Sequence, residues 1–156
     1  MKKVKILNTK INEITLSQTA EILTSSKSKT VAVCNANSLV RSYKDKEINS
    51  ILNTFDLALP DGFPVAKASS MLYKNKQRRV DGFNIFNETI KKGLDNDTSH
   101  YFYGNSEEVI LKLITKLETD YPEVNISGYN CPPIGNEGEL SSSYYQELIT
   151  NLNPDI

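Results

Sequence analysis

A chain of 156 residues, 38% hydrophobic and 24% charged, has the size and composition of one globular domain with a real core. Its formal net charge of −1 gives no global drive toward nucleic acid or an anionic membrane, so any anionic ligand must meet a local basic cluster. The two cysteines, Cys34 and Cys131, suggest no disulfide framework and read as reduced thiols of a cytosolic protein; Lys5, Asn8, Lys10 and Asn12 interrupt any signal-peptide core, and no run approaches the ~20 apolar residues of a membrane span.

Val4-Lys5-Ile6-Leu7 reads as a first strand that continues through Ile11 to Ile14 as a ribbon. Thr15 followed by Gln18 has the spacing of a capping box, and the helix it opens carries Leu16, Ala20 and Leu23 before the polar loop Ser25-Ser26-Lys27-Ser28-Lys29. Thr30-Val31-Ala32-Val33-Cys34 has the continuous apolar character of a strand covered on both faces, and it stops at Asn35-Ala36-Asn37-Ser38. A helical stretch with Leu39, Val40, Tyr43, Ile48, Ile51 and Leu52 leads to a third strand, Leu57-Ala58-Leu59, which breaks at Pro60 into Asp61-Gly62. The next helix holds Pro64 in its first turn and Val65, Ala66, Ala68, Met71 and Leu72 for packing; it runs out into the basic stretch Lys74 to Arg79, read as a solvated loop.

After Val80-Asp81-Gly82 a helix with Phe83, Ile85, Phe86 and Ile90 extends to about Leu94. Tyr101-Phe102-Tyr103 is a short strand ending at Gly104-Asn105, and Ser106 with Glu107 and Glu108 starts a helix whose stripe is Val109, Ile110, Leu113, Ile114 and Leu117. Val124 to Gly128 is a strand, Tyr129 to Pro133 a loop, and a last helix carries Tyr145, Leu148, Ile149 and Leu152. Asn153-Pro154-Asp155-Ile156 has the look of an entry to a further strand. The alternation of strand and helix, without repeats or linkers, predicts a single α/β domain over residues 1–156 with a Rossmann-like parallel sheet and helices on both faces.

In such a sheet the residues just after strands share the ligand-binding edge, which gathers Asn35, Asn37, Asp61, Gly104 and Asn130. Asp61 has two readings there: a helix cap or turn former, and a carboxylate facing a ligand. Asp95-Asn96-Asp97 matches a metal-holding Asp-x-Asp pattern but falls before a strand, on the other edge, and reads as a solvated turn. His100 falls on that edge too and reads as a surface or capping residue, and Cys34 as core. Glycine-rich dinucleotide and phosphate loops and a Gly-x-Ser-x-Gly elbow are all missing from the sequence.

The segments Val33 to Val40, Asp56 to Pro64, Arg79-Val80-Asp81-Gly82, Tyr103-Gly104, Tyr121 to Gly128, Cys131-Pro132-Pro133 and Asn153 to Ile156 together resemble the bacterial glycosyltransferases of the WecG/TagA/CpsF type. The resemblance implies transfer of a sugar, often N-acetylmannosamine, from a UDP-sugar to a polyprenyl-diphosphate-linked N-acetylglucosamine at the cytoplasmic membrane face, in teichoic acid or capsular polysaccharide synthesis. It implies Asp61 as the general base of an inverting displacement, Arg79 on the phosphates of the leaving UDP, and Asn35, Asn37, Gly62 and Gly104 in the binding pocket. No cofactor or metal is implied beyond the UDP-sugar substrate, no nucleic-acid partner, and a homo-oligomer is compatible with it. Val33, Asn37 and Asn84 depart from the family pattern at positions that bear on the donor. The resemblance also implies a further strand, a Pro-Lys-Gln-Glu segment and a basic membrane-docking appendage after Pro-Asp-Ile. The expectation is therefore either a hexosyltransferase domain lacking that part, peripheral at the inner membrane face, or a truncated non-catalytic remnant that binds sugar nucleotide.

Overall fold

A computed structural model describes residues 1–25, 29–133 and 143–156; the middle of the predicted Ser25–Lys29 loop lies outside the described residues. The chain divides into two compact units, residues 1–89 and 90–156. The class is α/β, with helices and short strands in alternation.

The first unit opens with an antiparallel hairpin, β1 (Lys3–Ile6) and β2 (Thr9–Asn12), in the register Val4↔Ile11 and Ile6↔Thr9. This is the predicted ribbon, turned at Leu7, whose φ of 52° is a left-handed conformation that a non-glycine residue adopts at a cost. The capping box forms as read: the Thr15 N–H donates to Gln18 Oε1 at 3.0 Å and the Gln18 N–H to Thr15 Oγ1 at 3.2 Å, opening α1 (Leu16–Ser25).

Next come β3 (Val31–Cys34), α2 (Ala36–Lys44), α3 (Lys46–Thr54) and β4 (Leu57–Pro60). The predicted single helical stretch is broken at Asp45. Its N–H closes α2 on the Arg41 carbonyl, while its carboxylate accepts from the Glu47 and Ile48 N–H groups to open α3. Together the two helices make the crossover that a parallel pair requires, and β3 and β4 run parallel with Cys34 beside Pro60.

That pair carries a core on each face. Ala32, Cys34 and Ala58 pack with Val4, Ile6 and Ile11 of the hairpin, Leu39 of α2 and Val65 of α4 (Phe63–Tyr73). Leu57 and Leu59 face the other way, against Ile14, Ala20 of α1, Val80, and Ile85 of α5 (Gly82–Leu94). Every side chain of β4 is buried, which is why its sequence reads as an unbroken apolar run. The edge of β4 turned away from β3 is closed without a further strand: the Ala58 N–H donates to buried Asn12 Oδ1 at 2.7 Å, and the Pro60 carbonyl accepts from the Val80 N–H at 3.0 Å. Pro60 has no N–H to offer there, so the proline leaves no donor orphaned.

The second unit is built on the parallel pair β5 (Ser99–Tyr103) and β6 (Asn125–Asn130), joined by α6 (Glu107–Asp120), and ends in α7 (Ser143–Leu152). β6 includes Tyr129 and Asn130, where the sequence predicts a loop. The free edge of β5 takes up the chain end: the Ile156 N–H donates to the Ser99 carbonyl and the Tyr101 N–H to the Ile156 carbonyl, so Pro-Asp-Ile does enter a strand position.

Several side chains contradict their predicted burial. Met71, Leu72 and Val109 are exposed, because buried Ser69 and Ile110 set the inward faces of α4 and α6 one step away from the apolar count. His100 is buried, 3% exposed, with its ring against Gly93; the surface reading failed because the strand starts at Ser99, two residues earlier than its aromatic signal.

Candidate functional site

The C-terminal ends of β3 and β4 lie side by side, and the two chains leave them in different ways. After Cys34, Asn35 is the N-cap of α2: its Oδ1 accepts from the Ser38 N–H at 3.0 Å and from the Ser38 hydroxyl at 3.2 Å. Asn35 is thus occupied as a cap, with its amide nitrogen still a donor at the exposed mouth; Asn37 is exposed in the first turn of the same helix.

After Pro60 the Asp61 N–H donates to the Cys34 carbonyl at 3.0 Å and to the Leu59 carbonyl at 2.9 Å. The first bond extends the β3–β4 ladder by one residue and the second is a tight turn back onto β4; together they hold the Asp61 backbone in place while its side chain is half-buried at the mouth. Gly62 follows at φ 79°, ψ 152°, a conformation for glycine alone, and turns the chain directly into α4. Helix α4 opens with Pro64 in its first turn and no side-chain cap, so the positive end of its dipole is unscreened by any capping group of its own. The N-cap position of α4 is Gly62, so Asp61 stands one residue before it and its carboxylate is not the cap of that helix.

On the other side of β4, the Val80–Pro60 hydrogen bond draws in the segment that carries Arg79. The Arg79 Nε lies 3.1 Å from Asp81 Oδ2. Asp81 in turn accepts from the Asn84 N–H at 3.1 Å and from the Asn84 amide at 2.7 Å at the start of α5. These hydrogen bonds, chiefly that of the Asn84 side chain, and the nearby Arg79 guanidinium hold the Asp81 carboxyl below the usual carboxylate range. Asp81 was absent from the predicted site; the spacing Asp81-x-x-Asn84, a cap signal, was the feature that marked it.

The basic segment before Arg79 is fixed by its amides. Gln77 Oε1 accepts from the Ile14 N–H at 3.0 Å and its Nε2 donates to the Ile14 carbonyl at 2.6 Å, so one side chain pairs with a backbone as a strand would. Lys74, Lys76, Arg78 and Arg79 remain exposed, as the solvated-loop reading requires. Beneath the mouth, burial and the Asp61 charge push the Cys34 thiol up to about 11, leaving it a protonated core residue.

Gly104 lies in the second unit. Its N–H donates to the Asn130 carbonyl at 2.9 Å, and its φ of 121° demands glycine although a Cβ there would meet nothing within 4 Å. A cavity of about 600 Å³ adjoins that turn, lined among others by Asn105, Glu107, Tyr129, Asn130 and Cys131. Asn35, Asn37, Asp61, Gly62 and Arg79 all lie in the first unit, the Asp61 and Arg79 segments linked through the Pro60–Val80 hydrogen bond, whereas Gly104 lies in the second unit, one residue before the cavity wall at Asn105. Asp95-Asn96-Asp97 forms an exposed turn between α5 and β5, with Asp97 accepting from the Asn125 amide at 3.1 Å.

The sequence matches the glycosyl transferase WecG/TagA/CpsF family over residues 4–156. An N-acetylglucosaminyldiphosphoundecaprenol N-acetyl-beta-D-mannosaminyltransferase of Bacillus spizizenii is 27% identical over 107 residues, which are 69% of this chain and 40% of that protein. A protein of the same name from Bacillus subtilis strain 168 is 25% identical over 127 residues, 81% of this chain and 47% of the relative. The matched part thus spans less than half the length of either relative.

Proposed function

From the premise that this chain belongs to the glycosyl transferase WecG/TagA/CpsF family, we propose that it carries the base and donor-phosphate groups of a hexosyltransferase acting on a polyprenyl-diphosphate-linked N-acetylglucosamine, with a UDP-sugar as donor. The acceptor follows the names of the two relatives, and N-acetylmannosamine is the first donor to try. In a single inverting displacement the acceptor hydroxyl oxygen bonds to the anomeric carbon as the bond from that carbon to the UDP oxygen breaks. The hydroxyl proton passes to the Asp61 carboxylate, and the electron pair leaves with UDP.

The observation that carries this reading is the state of Asp61: a carboxylate at the mouth of a parallel pair, its backbone held by two hydrogen bonds and its side chain unused as a cap. General-base help of this kind contributes ~10²–10⁴-fold. The diphosphate gains charge as it departs, which favours the guanidinium of Arg79 and the uncapped start of α4. Among the described residues no helix is long and apolar enough to cross a membrane. The reading includes peripheral contact with the lipid-linked acceptor at the cytoplasmic face.

The test is a transfer assay with a panel of UDP-sugars on polyprenyl-diphosphate-linked N-acetylglucosamine. Asp61→Asn should lower transfer by ~10²-fold or more with UDP-sugar affinity retained. Turnover equal to that of the unaltered protein would remove Asp61 from the base role.

A further inference from the structure

One face of α4 presents Phe63, Ala66, Lys67 and Ser70, spaced as a single helical stripe about 10 Å long. Arg78 and Arg79 stand across from it, and together these six residues line an open groove of about 480 Å³. Phe63 is two residues after Asp61 and is 73% exposed, an aromatic ring left in water at the end of the groove nearest the proposed base. Lys67 and Arg78 are exposed and form no ion pair among the described residues, whereas Arg79 is held by Asp81. In a chain of net charge −1, two unneutralised cations lining one groove from its two sides make a local concentration of positive charge suited to an anion.

We propose that this groove takes the glycosyl-diphosphate part of the acceptor: Phe63 stacks on the sugar next to Asp61, and Lys67 and Arg78 bind the diphosphate that follows it. The assignment rests on the transfer reading above and adds to it a division of labour, Arg79 for the donor phosphates and Lys67 with Arg78 for those of the acceptor. The order along the helix is what the ligand requires, with the reacting sugar at the Asp61 end and the anionic link one to two turns further on. A guanidinium binds two phosphate oxygens at once and an ammonium adds a point charge, so both types suit a diphosphate.

The experiment titrates the full chain with a short-chain acceptor, farnesyl-diphosphate-linked N-acetylglucosamine, by calorimetry, with UDP and phosphatidylglycerol vesicles as parallel ligands. Lys67→Gln combined with Arg78→Gln should weaken acceptor binding about tenfold or more, and Phe63→Ser by about threefold to tenfold. UDP affinity should move less than about twofold in all of them, which also certifies their fold. Acceptor affinity unchanged in the double variant, or absent in the unaltered protein, overturns the proposal. So does a double variant that loses only vesicle adsorption, since the groove would then be a membrane contact. A failure here with normal UDP binding leaves the transfer reading standing; that reading falls separately, on undiminished turnover by Asp61→Asn.

Discussion

The carboxylate of Asp81 accepts two hydrogen bonds from Asn84 at the start of α5 and holds the Arg79 Nε at 3.1 Å, so helix capping and the aim of a site cation hang on one side chain. The two roles separate by substitution. Asp81→Ala removes the cap and should cost about 1 kcal/mol in urea denaturation, whereas Asp81→Asn keeps one oxygen for the Asn84 N–H but replaces the oxygen that accepts from the Asn84 amide and the Arg79 Nε by a donor. Both should weaken UDP binding by releasing Arg79; equal stability in the two variants, or unchanged UDP affinity in both, would contradict this. The pH dependence has a fixed sign. Because the folded state holds the Asp81 carboxyl below its ordinary value, its contribution is complete above about pH 4 and is lost as pH falls through the depressed value.

At the scale of elements, the segment from Lys74 to Arg79 shows how a loop without regular structure is held in one place. Gln77 pairs with both backbone groups of Ile14, and the Asn75 amide donates to buried Ser69 at 3.1 Å. Gln77→Ala should therefore free the segment, and limited trypsin digestion should cut after Lys76 and Arg78 faster than in the unaltered chain. No change in cleavage rate would show that the Asn75 contact suffices. Sequence periodicity could not reveal this anchor, since a glutamine in a basic stretch carries no pattern. It did expose what depends on local chemistry: the Thr15–Gln18 box, the buried run of β4 and the strand-like Pro-Asp-Ile. It misjudged Met71, Leu72 and Val109, because the inward face of a helix is fixed by its tertiary neighbours. Chain order put Asp61 at a strand mouth while Arg79 stood out only through the family resemblance, and the Val80–Pro60 bond that brings their segments together is a backbone contact invisible in composition.

For the whole molecule, the two compact units are expected to respond differently to acid. His100 in the second unit is buried, and burial pushes its imidazole below the ordinary value of 6.5, against the opposing pull of the Asp155 charge. A folded state that prefers the neutral ring gives stability that is full above pH 6.5 and declines as pH falls below it. Hydrogen exchange at pH 7.5 and 5.5 should show protection lost on acidification in residues 90–156, and His100→Gln should shrink that difference. Equal loss in the variant would place the acid sensitivity elsewhere. The two thiols supply a complementary clock. Cys34 is sealed under the β4 mouth with its thiol raised to about 11, while Cys131 is half-buried on the wall of the cavity in the second unit. An alkylating reagent at neutral pH therefore meets Cys131 in the native protein and Cys34 only when the first unit opens. The unaltered chain thus reports on both units in one mass spectrum, with one adduct marking access to the cavity of the second unit and a second adduct timing the unfolding of the fold around Asp61.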